Sequence, residues 1–325
     1  MRYECVYVEK KALDLPLTKS ILDKLGDIKV IKVDHYKDIF DRKRQDIRYQ
    51  KENPALILAV REGRRIYKGA SVCQSFGNVN FYYASSAMNC PFDCEYCYLK
   101  GMYQSGYIVV FVNIEDYRKD ISECLRQGPL YVCASYDSDL CALEGLTGLA
   151  SFWAELAREN KDLLVELRTK AAPSGFKKIP NLIYAFTISP QEIIDRYERY
   201  TASLDARLKA AARALDSGCR VRLCFDPLIK TEDFEGLYGR MIDKVADSLD
   251  MSLITDVSVG TFRISGEYLS RMRKAYPDSG IAWYPYVIED KVAQYDTRDD
   301  RAMQDYVISR LEGLIGREKI FKWNE

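Results

Sequence analysis

The sequence predicts an α/β protein built as a partial, open (β/α)6 barrel, with a small N-terminal α/β region before it and a C-terminal extension after it. Three observations carry the prediction. From residue 80 onward, short β-rich runs alternate with amphipathic helical stretches, the pattern of repeated βα units around a parallel sheet. The 325 residues, 47% hydrophobic and 30% charged, suffice for one large body with an appendage. No internal repeat or low-complexity linker interrupts the run.

Residues 1–79 read as the N-terminal region: a strand over 3–8, a helix over 18–25 and strands over 28–33 and 55–60, each an apolar run bounded by charged or turn residues. The stretch 41–51, DRKRQDIRYQK, reads as a charged helix, and with 61–65 it forms the densest basic run in the chain. Such a run is either a solvated face or a phosphate-contacting patch. Residues 80–265 hold the barrel, with strands expected at 81–85, 130–135, 163–168, 183–188, 220–225 and 255–261. Helices follow near 114–126, 146–159, 204–216, 234–247 and 268–274. In such a barrel, chemistry gathers at the carboxyl ends of the strands. In the extension, 266–325, residues 283–288 read as a further strand and 300–314 as a closing helix.

Composition narrows the function. Lysines plus arginines balance aspartates plus glutamates at 48 each, so nucleic-acid contact has to be local rather than a property of the whole surface. No segment approaches the twenty apolar residues of a membrane span, and MRYECVYVEKK lacks the apolar core of a signal peptide, so a cytoplasmic protein without a membrane partner is expected. Ten cysteines in that setting point to reduced thiols and to metal or redox chemistry. One histidine, His35, weakens any Ser-His, His-base or His-rich zinc mechanism, and it reads as a surface or capping residue.

The chemistry concentrates in SSAMNCPFDCEYCYLKG. Cys90, Cys94 and Cys97 form a C-x3-C-x2-C loop directly after the first barrel strand, turned by Pro91 and Asp93. Three thiolates bind three irons of a [4Fe-4S] cluster and leave the fourth open to an external chelate, such as the amino and carboxylate groups of a methionine. Structural zinc needs a fourth ligand, from Cys124, Cys133, Cys141, Cys219 or Cys224; an unrelated cluster and plain buried thiols are the other readings. Tyr96, just before the third cysteine, suits contact with an adenine ring.

This spacing, with an aromatic before the last cysteine, resembles the radical S-adenosylmethionine (SAM) superfamily. The resemblance implies a radical SAM barrel in which a reduced cluster passes an electron to S-adenosyl-L-methionine, giving methionine and a 5′-deoxyadenosyl radical. The longer block CEYCYLKGMYQSGYIVVFVNIED, with Tyr96 to Leu99 and Val112 to Glu115, is similar to the spore photoproduct lyases. SYDSDLCALEGLT, LRTKAA and TASLDARLKAA resemble later blocks of that family, in order and across most of the barrel. The family repairs 5-thyminyl-5,6-dihydrothymine in DNA to two thymines, so DNA carrying a thymine-dimer lesion and a flavodoxin- or ferredoxin-like reductant are the implied partners.

The resemblance also distributes roles. Cys90, Cys94 and Cys97 become cluster ligands; Tyr96 an adenine neighbour and radical relay; Tyr98 a relay or a packing residue. Ser138 and Asp139, after the second strand, would hold the amino group or ribose of SAM, with a helix N-cap as the alternative for the pair. Lys170 would hold the methionine carboxylate, joined by Thr187 or Ser189. The usual hydrogen-donor cysteine before the serine-aspartate segment is replaced by Tyr136. Cys73, in the loop SVCQSFGN, is therefore the expected donor, with Cys141 as second candidate and Cys133 too deep. The arginine-rich C-terminal hairpin is reduced to AWYPYVIEDKVAQY, where Trp283, Tyr284 and Tyr286 either stack on a lesion or edge the core. Arg263 and 271–274 either grip phosphates or lie on a solvated face. These departures leave a second reading: an enzyme of the same family acting on another nucleic acid or on a peptide.

Overall fold

The computed structural model describes residues 2–69 and 73–323. All six expected barrel strands form, as β1 (Phe81–Ala84), β2 (Leu130–Cys133), β3 (Leu163–Thr169), β4 (Leu182–Thr187), β5 (Arg220–Leu228) and β6 (Asp256–Thr261). Each pairs in parallel with the next, from Phe81 opposite Tyr131 to Arg222 opposite Asp256. The β4 run LIYAFT is buried at every position, as expected of a parallel strand covered on both faces. Helices alternate with the strands. Leu204–Asp216 shows why: Ser203 caps it by accepting a hydrogen bond from the Ala206 amide at 3.3 Å, and Leu204, Leu208, Ala211 and Leu215 make one buried stripe.

The barrel is open. Ile66–Lys68 lies antiparallel on β1 at one edge and Ile320–Lys322 parallel on β6 at the other. A second, five-stranded sheet combines Cys5–Glu9, Val30–Val33 and Ala55–Ala59 with Ile108–Phe111 and Ala87–Met88. A division at residue 79 therefore does not follow the sheets: 108–111 completes the N-terminal sheet, whereas 66–68 and 320–322 extend the barrel. The consequence is functional. The chain leaves β1, passes through the cysteine loop and returns into the other sheet, so the loop is tied to both.

The charged run 41–51 is not one helix; helix forms only over Ile47–Glu52, capped by Asp46, which accepts from the Tyr49 amide at 3.0 Å. Arg44 at φ 60° breaks the preceding stretch. Two of its basic neighbours are spent internally. Arg61 donates to the Tyr36 hydroxyl at 3.1 Å, and Arg65 pairs with Asp120 at 2.9 Å, whereas Arg42, Lys43, Arg44 and Arg48 of the run itself are exposed. His35 is a capping residue, its Nδ1 accepting from the Lys37 amide at 3.2 Å. In the extension the strand is Val287–Glu289, starting four residues later than expected from sequence, within an antiparallel ribbon with Val292–Gln294 and Arg263–Ser265. Helix Thr297–Glu312 closes the chain against β6.

Inside the barrel, Arg222 is buried between Glu166 and Asp256, with Tyr131 donating to Glu166 at 2.6 Å. Burial alone would raise the Glu166 carboxyl, but Arg168 and Arg222 outweigh it and hold it at about 2. A carboxyl depressed on folding stabilises the fold above its unfolded value, about 4.5, and loses that contribution as pH falls toward 2. Acid unfolding followed by circular dichroism is expected to be steeper over that window in the wild type than in Glu166→Gln; equal slopes would assign acid lability elsewhere.

Candidate active site

The carboxyl ends of β1 to β4 supply the site. After β1, Asn89 adopts the left-handed conformation at φ 67° and donates through its amide to the carbonyls of Ser105 at 2.6 Å and Tyr107 at 2.7 Å, turning the chain into Cys90. Asp93–Cys94 then forms a short antiparallel pair with Glu198–Arg199, and the Glu95 amide donates to the Tyr197 carbonyl at 2.8 Å. The loop is thus laced to the segment after β4. Asp93 is buried with Lys100, and Tyr276 of the extension donates to it at 2.6 Å.

The three cysteines are close in space: the charges of Cys94 and Cys97 act on Cys90, and that of Cys97 on Cys94. Burial pushes Cys90 well up and Cys94 up to about 12, while the Lys170 ammonium, 3.9 Å from the Cys94 sulfur, pulls Cys94 the other way. Among the described residues, no three His, Cys, Asp or Glu side chains converge on one point as a single metal ion requires. A mononuclear zinc site needs four donors about one ion, whereas a cubane spreads its three thiolates over three irons and asks for no such convergence.

Beside the loop, one buried carboxylate gathers the residues that the sequence had offered separately. Glu198 accepts from Tyr96, from Ser189 at 2.8 Å, from Lys170 at 3.1 Å and from Arg207. The Lys170 ammonium also lies 4.4 Å over the Tyr96 ring. Burial would raise Glu198, but Lys170 and Arg207 hold it well below the usual carboxylate range. Arg207, itself fully buried, donates to the Thr187 carbonyl at 3.0 Å. Glu198 and Arg207 were missed in the sequence, though Arg207 stands inside the TASLDARLKAA block.

Asp139 and Ser138 divide their roles. Asp139 caps Leu140–Thr147 through the Ala142 amide at 2.9 Å and accepts from the Thr169 hydroxyl at 2.9 Å and the Lys170 amide at 2.8 Å. Its oxygens are filled by the protein, so it positions Lys170. Ser138 is buried, and its hydroxyl has no partner among the described residues; the Ser135 hydroxyl and one Asp137 oxygen nearby share that state. Orphaned buried polar atoms at the mouth of a barrel are what a polar cofactor would satisfy. Cys141 sits in the helix that Asp139 caps, near Glu144 and Thr169.

A second constellation joins positions far apart in sequence. The Cys73 thiol lies 3.5 Å from the Tyr136 hydroxyl. The Tyr136 ring lies tilted 4.3 Å from Tyr83 and 5.6 Å from Tyr98, whose hydroxyl donates to the Tyr136 carbonyl at 2.5 Å. Burial raises the Cys73 thiol, so it keeps its S–H bond at neutral pH. From the extension, Tyr286 packs 5.2 Å from Phe262, which lies 6.4 Å from Tyr96, while Trp283 is exposed beneath Arg273. Arg263 pairs with Asp226 at 3.1 Å and Arg271 donates to the Gly101 carbonyl at 2.9 Å, so both are engaged inside the protein.

An open parallel barrel with a three-cysteine loop at the carboxyl end of its first strand defines a radical SAM enzyme. The family model for spore photoproduct lyase matches residues 1–283, and the chain belongs to that family. It is 21% identical over 348 residues to the spore photoproduct lyase of Bacillus subtilis (strain 168), covering 98% of this chain and 97% of the relative. It is 22% identical over 335 residues to that of Clostridium acetobutylicum, covering 97% of each. A double mutant of a spore photoproduct lyase with bound AdoMet and dinucleoside spore photoproduct superposes with a TM-score of 0.82 at 19% identity, over 99% of this chain and 98% of that one. Among the described residues, no helix is long and apolar enough to cross a membrane.

Proposed function

We propose that this protein reverses the spore photoproduct in DNA to two thymines, with Cys90, Cys94 and Cys97 holding a [4Fe-4S] cluster and Cys73 closing the reaction. The single observation that carries the proposal is the Cys73–Tyr136 contact. It puts a thiol beside the position where the family's usual donor cysteine is replaced. The cluster, when bound, supplies the electron that splits SAM into methionine and the 5′-deoxyadenosyl radical that takes hydrogen from C6 of the lesion.

The chain's own residues then do four things. Lys170, held beside the Cys94 sulfur by Glu198 and by Asp139 at its amide, would take the methionine carboxylate. Ser138, with Thr187 and Ser189 at the end of β4, lines the polar side of the cofactor, and Tyr96 borders the adenine. Once the methylene bridge breaks, Cys73 gives its hydrogen atom to the thymine radical, since an S–H bond is weaker than the C–H bond formed. Tyr136 returns its phenolic hydrogen atom to the Cys73 thiyl, and the Tyr136 radical would regain one, by way of Tyr98, from the methyl group of 5′-deoxyadenosine, whose radical would then re-form SAM with methionine and return the electron to the cluster. Trp283, an exposed aromatic of the extension, is placed to stack on an extruded lesion. A flavodoxin- or ferredoxin-like protein is the expected reductant.

The test is incubation of the reduced, reconstituted protein with SAM and dinucleoside spore photoproduct, reading two thymines by chromatography. Cleavage of SAM without thymine release would turn the reading toward another nucleic-acid or peptide substrate. For the cluster, Cys94→Ala is expected to lose most of its iron and sulfide and its SAM-dependent spectral change; full iron retention would remove Cys94 from the ligand set.

A further inference from the structure

Three lysines point at the cysteine loop, and their charge balance differs. Lys170 is paired with Glu198 and Lys100 with Asp93. Lys51, from helix Ile47–Glu52 of the N-terminal region, forms no ion pair among the described residues. Its ammonium instead donates to two carbonyls of the loop itself, Cys90 at 2.5 Å and Phe92 at 3.2 Å. Ile47, Lys51, Asn89, Cys90, Cys97 and Lys100 are among the residues lining one small cavity there. A half-buried cation without an ion-pair partner is costly to hold, and backbone carbonyls offset only part of its desolvation.

We propose that Lys51 is a positioning residue that serves as the electrostatic counterweight of the cluster, raising its reduction potential and so easing electron entry. This rests on the reading that Cys90, Cys94 and Cys97 hold a [4Fe-4S] cluster. Three thiolates give that cluster a net negative charge, and reduction adds one more. A positive charge fixed on the loop that would hold the cluster would stabilise the reduced form more than the oxidised form, by Coulomb attraction less screened than in water. Cluster potentials respond to local charge, hydrogen bonding and exposure in this way. The N-terminal region thereby acts on the catalytic centre: its short helix projects Lys51 onto the loop, and Asp46 fixes the start of that helix.

The experiment is a reductive titration of the full-length, anaerobically reconstituted protein, read by the electron paramagnetic resonance signal of the reduced cluster. Lys51→Met is expected to shift the midpoint to a more negative potential at wild-type iron content, and Lys51→Arg to restore most of the shift. An unchanged midpoint in Lys51→Met would overturn the proposal. So would a Lys51→Arg protein shifted as far as Lys51→Met, because packing rather than charge would then be at work. If Lys51→Met does not fold or take up iron, Lys51→Gln decides. It keeps hydrogen bonds to the carbonyls without the charge, so a negative shift supports the proposal and a wild-type midpoint refutes it. Failure of the cluster reading looks different: the wild-type protein itself would then show no cluster signal.

Discussion

Cys73→Ala is expected to go on cleaving SAM while its yield of clean thymine falls by on the order of 10²-fold, the loss that follows when a reacting group must be replaced by one out of line or farther away. The thymine radical left without a donor should instead be trapped, for example as an adduct with the chemical reductant. The Cys73 sulfur lies against Tyr136 and is raised by burial, so in the wild type it carries its hydrogen at the working pH. Tyr136→Phe separates donation from recovery. It keeps the thiol and removes the hydroxyl 3.5 Å away, so thymine should still form while SAM is consumed stoichiometrically rather than re-used. Both outcomes come from one assay, SAM consumed per thymine released. Clean thymine at wild-type yield from Cys73→Ala would move the donor elsewhere, with Cys141 tested next.

The frame of this site was legible because it is written in local pattern. Parallel strands buried on both faces must be continuous apolar runs, and LIYAFT or LYVC can be read as such without partners. The cysteine loop is equally local. What was not legible depends on contacts that only the fold creates. Cys73 and Tyr136 stand 63 positions apart and were each notable alone, yet nothing in the sequence fixes their meeting. Glu198 sits in a two-residue strand whose partner is the cysteine loop itself, too short for any periodicity. The basic run 41–51 is solvated, as its composition suits, but it is not one helix, because the backbone turns at Arg44 and helix begins only at Ile47. The sheets do not divide at residue 79 because the excursion that carries the cysteines ends in a strand of the neighbouring sheet, a pairing no local pattern announces.

Glu198→Gln is expected to be the most damaging single change outside the cysteines. Glu198 is the anion between Lys170 and Arg207, both inside the protein, and the acceptor for Tyr96 and Ser189. Removing one partner of a buried charge network leaves the others uncompensated, at a cost of about 3–5 kcal/mol. The thermal midpoint should fall accordingly. Freed from Glu198, Lys170 loses its fixed place beside Cys94, and affinity for SAM should drop roughly 10–100-fold, the range seen when groups that orient a site's ligands are removed. The pH profile distinguishes this from generic destabilisation. Folding lowers the Glu198 carboxyl, so its contribution is complete above its unfolded value and is lost as pH falls below it. The stability gap between wild type and Glu198→Gln should therefore be widest near neutrality and narrow on acidification. Glu198→Asp, which keeps the charge but shortens the reach, should recover part of the stability and less of the SAM binding. If Glu198→Gln bound SAM as tightly as the wild type, judged by the spectral response of the cluster, Lys170 would not be placed by Glu198.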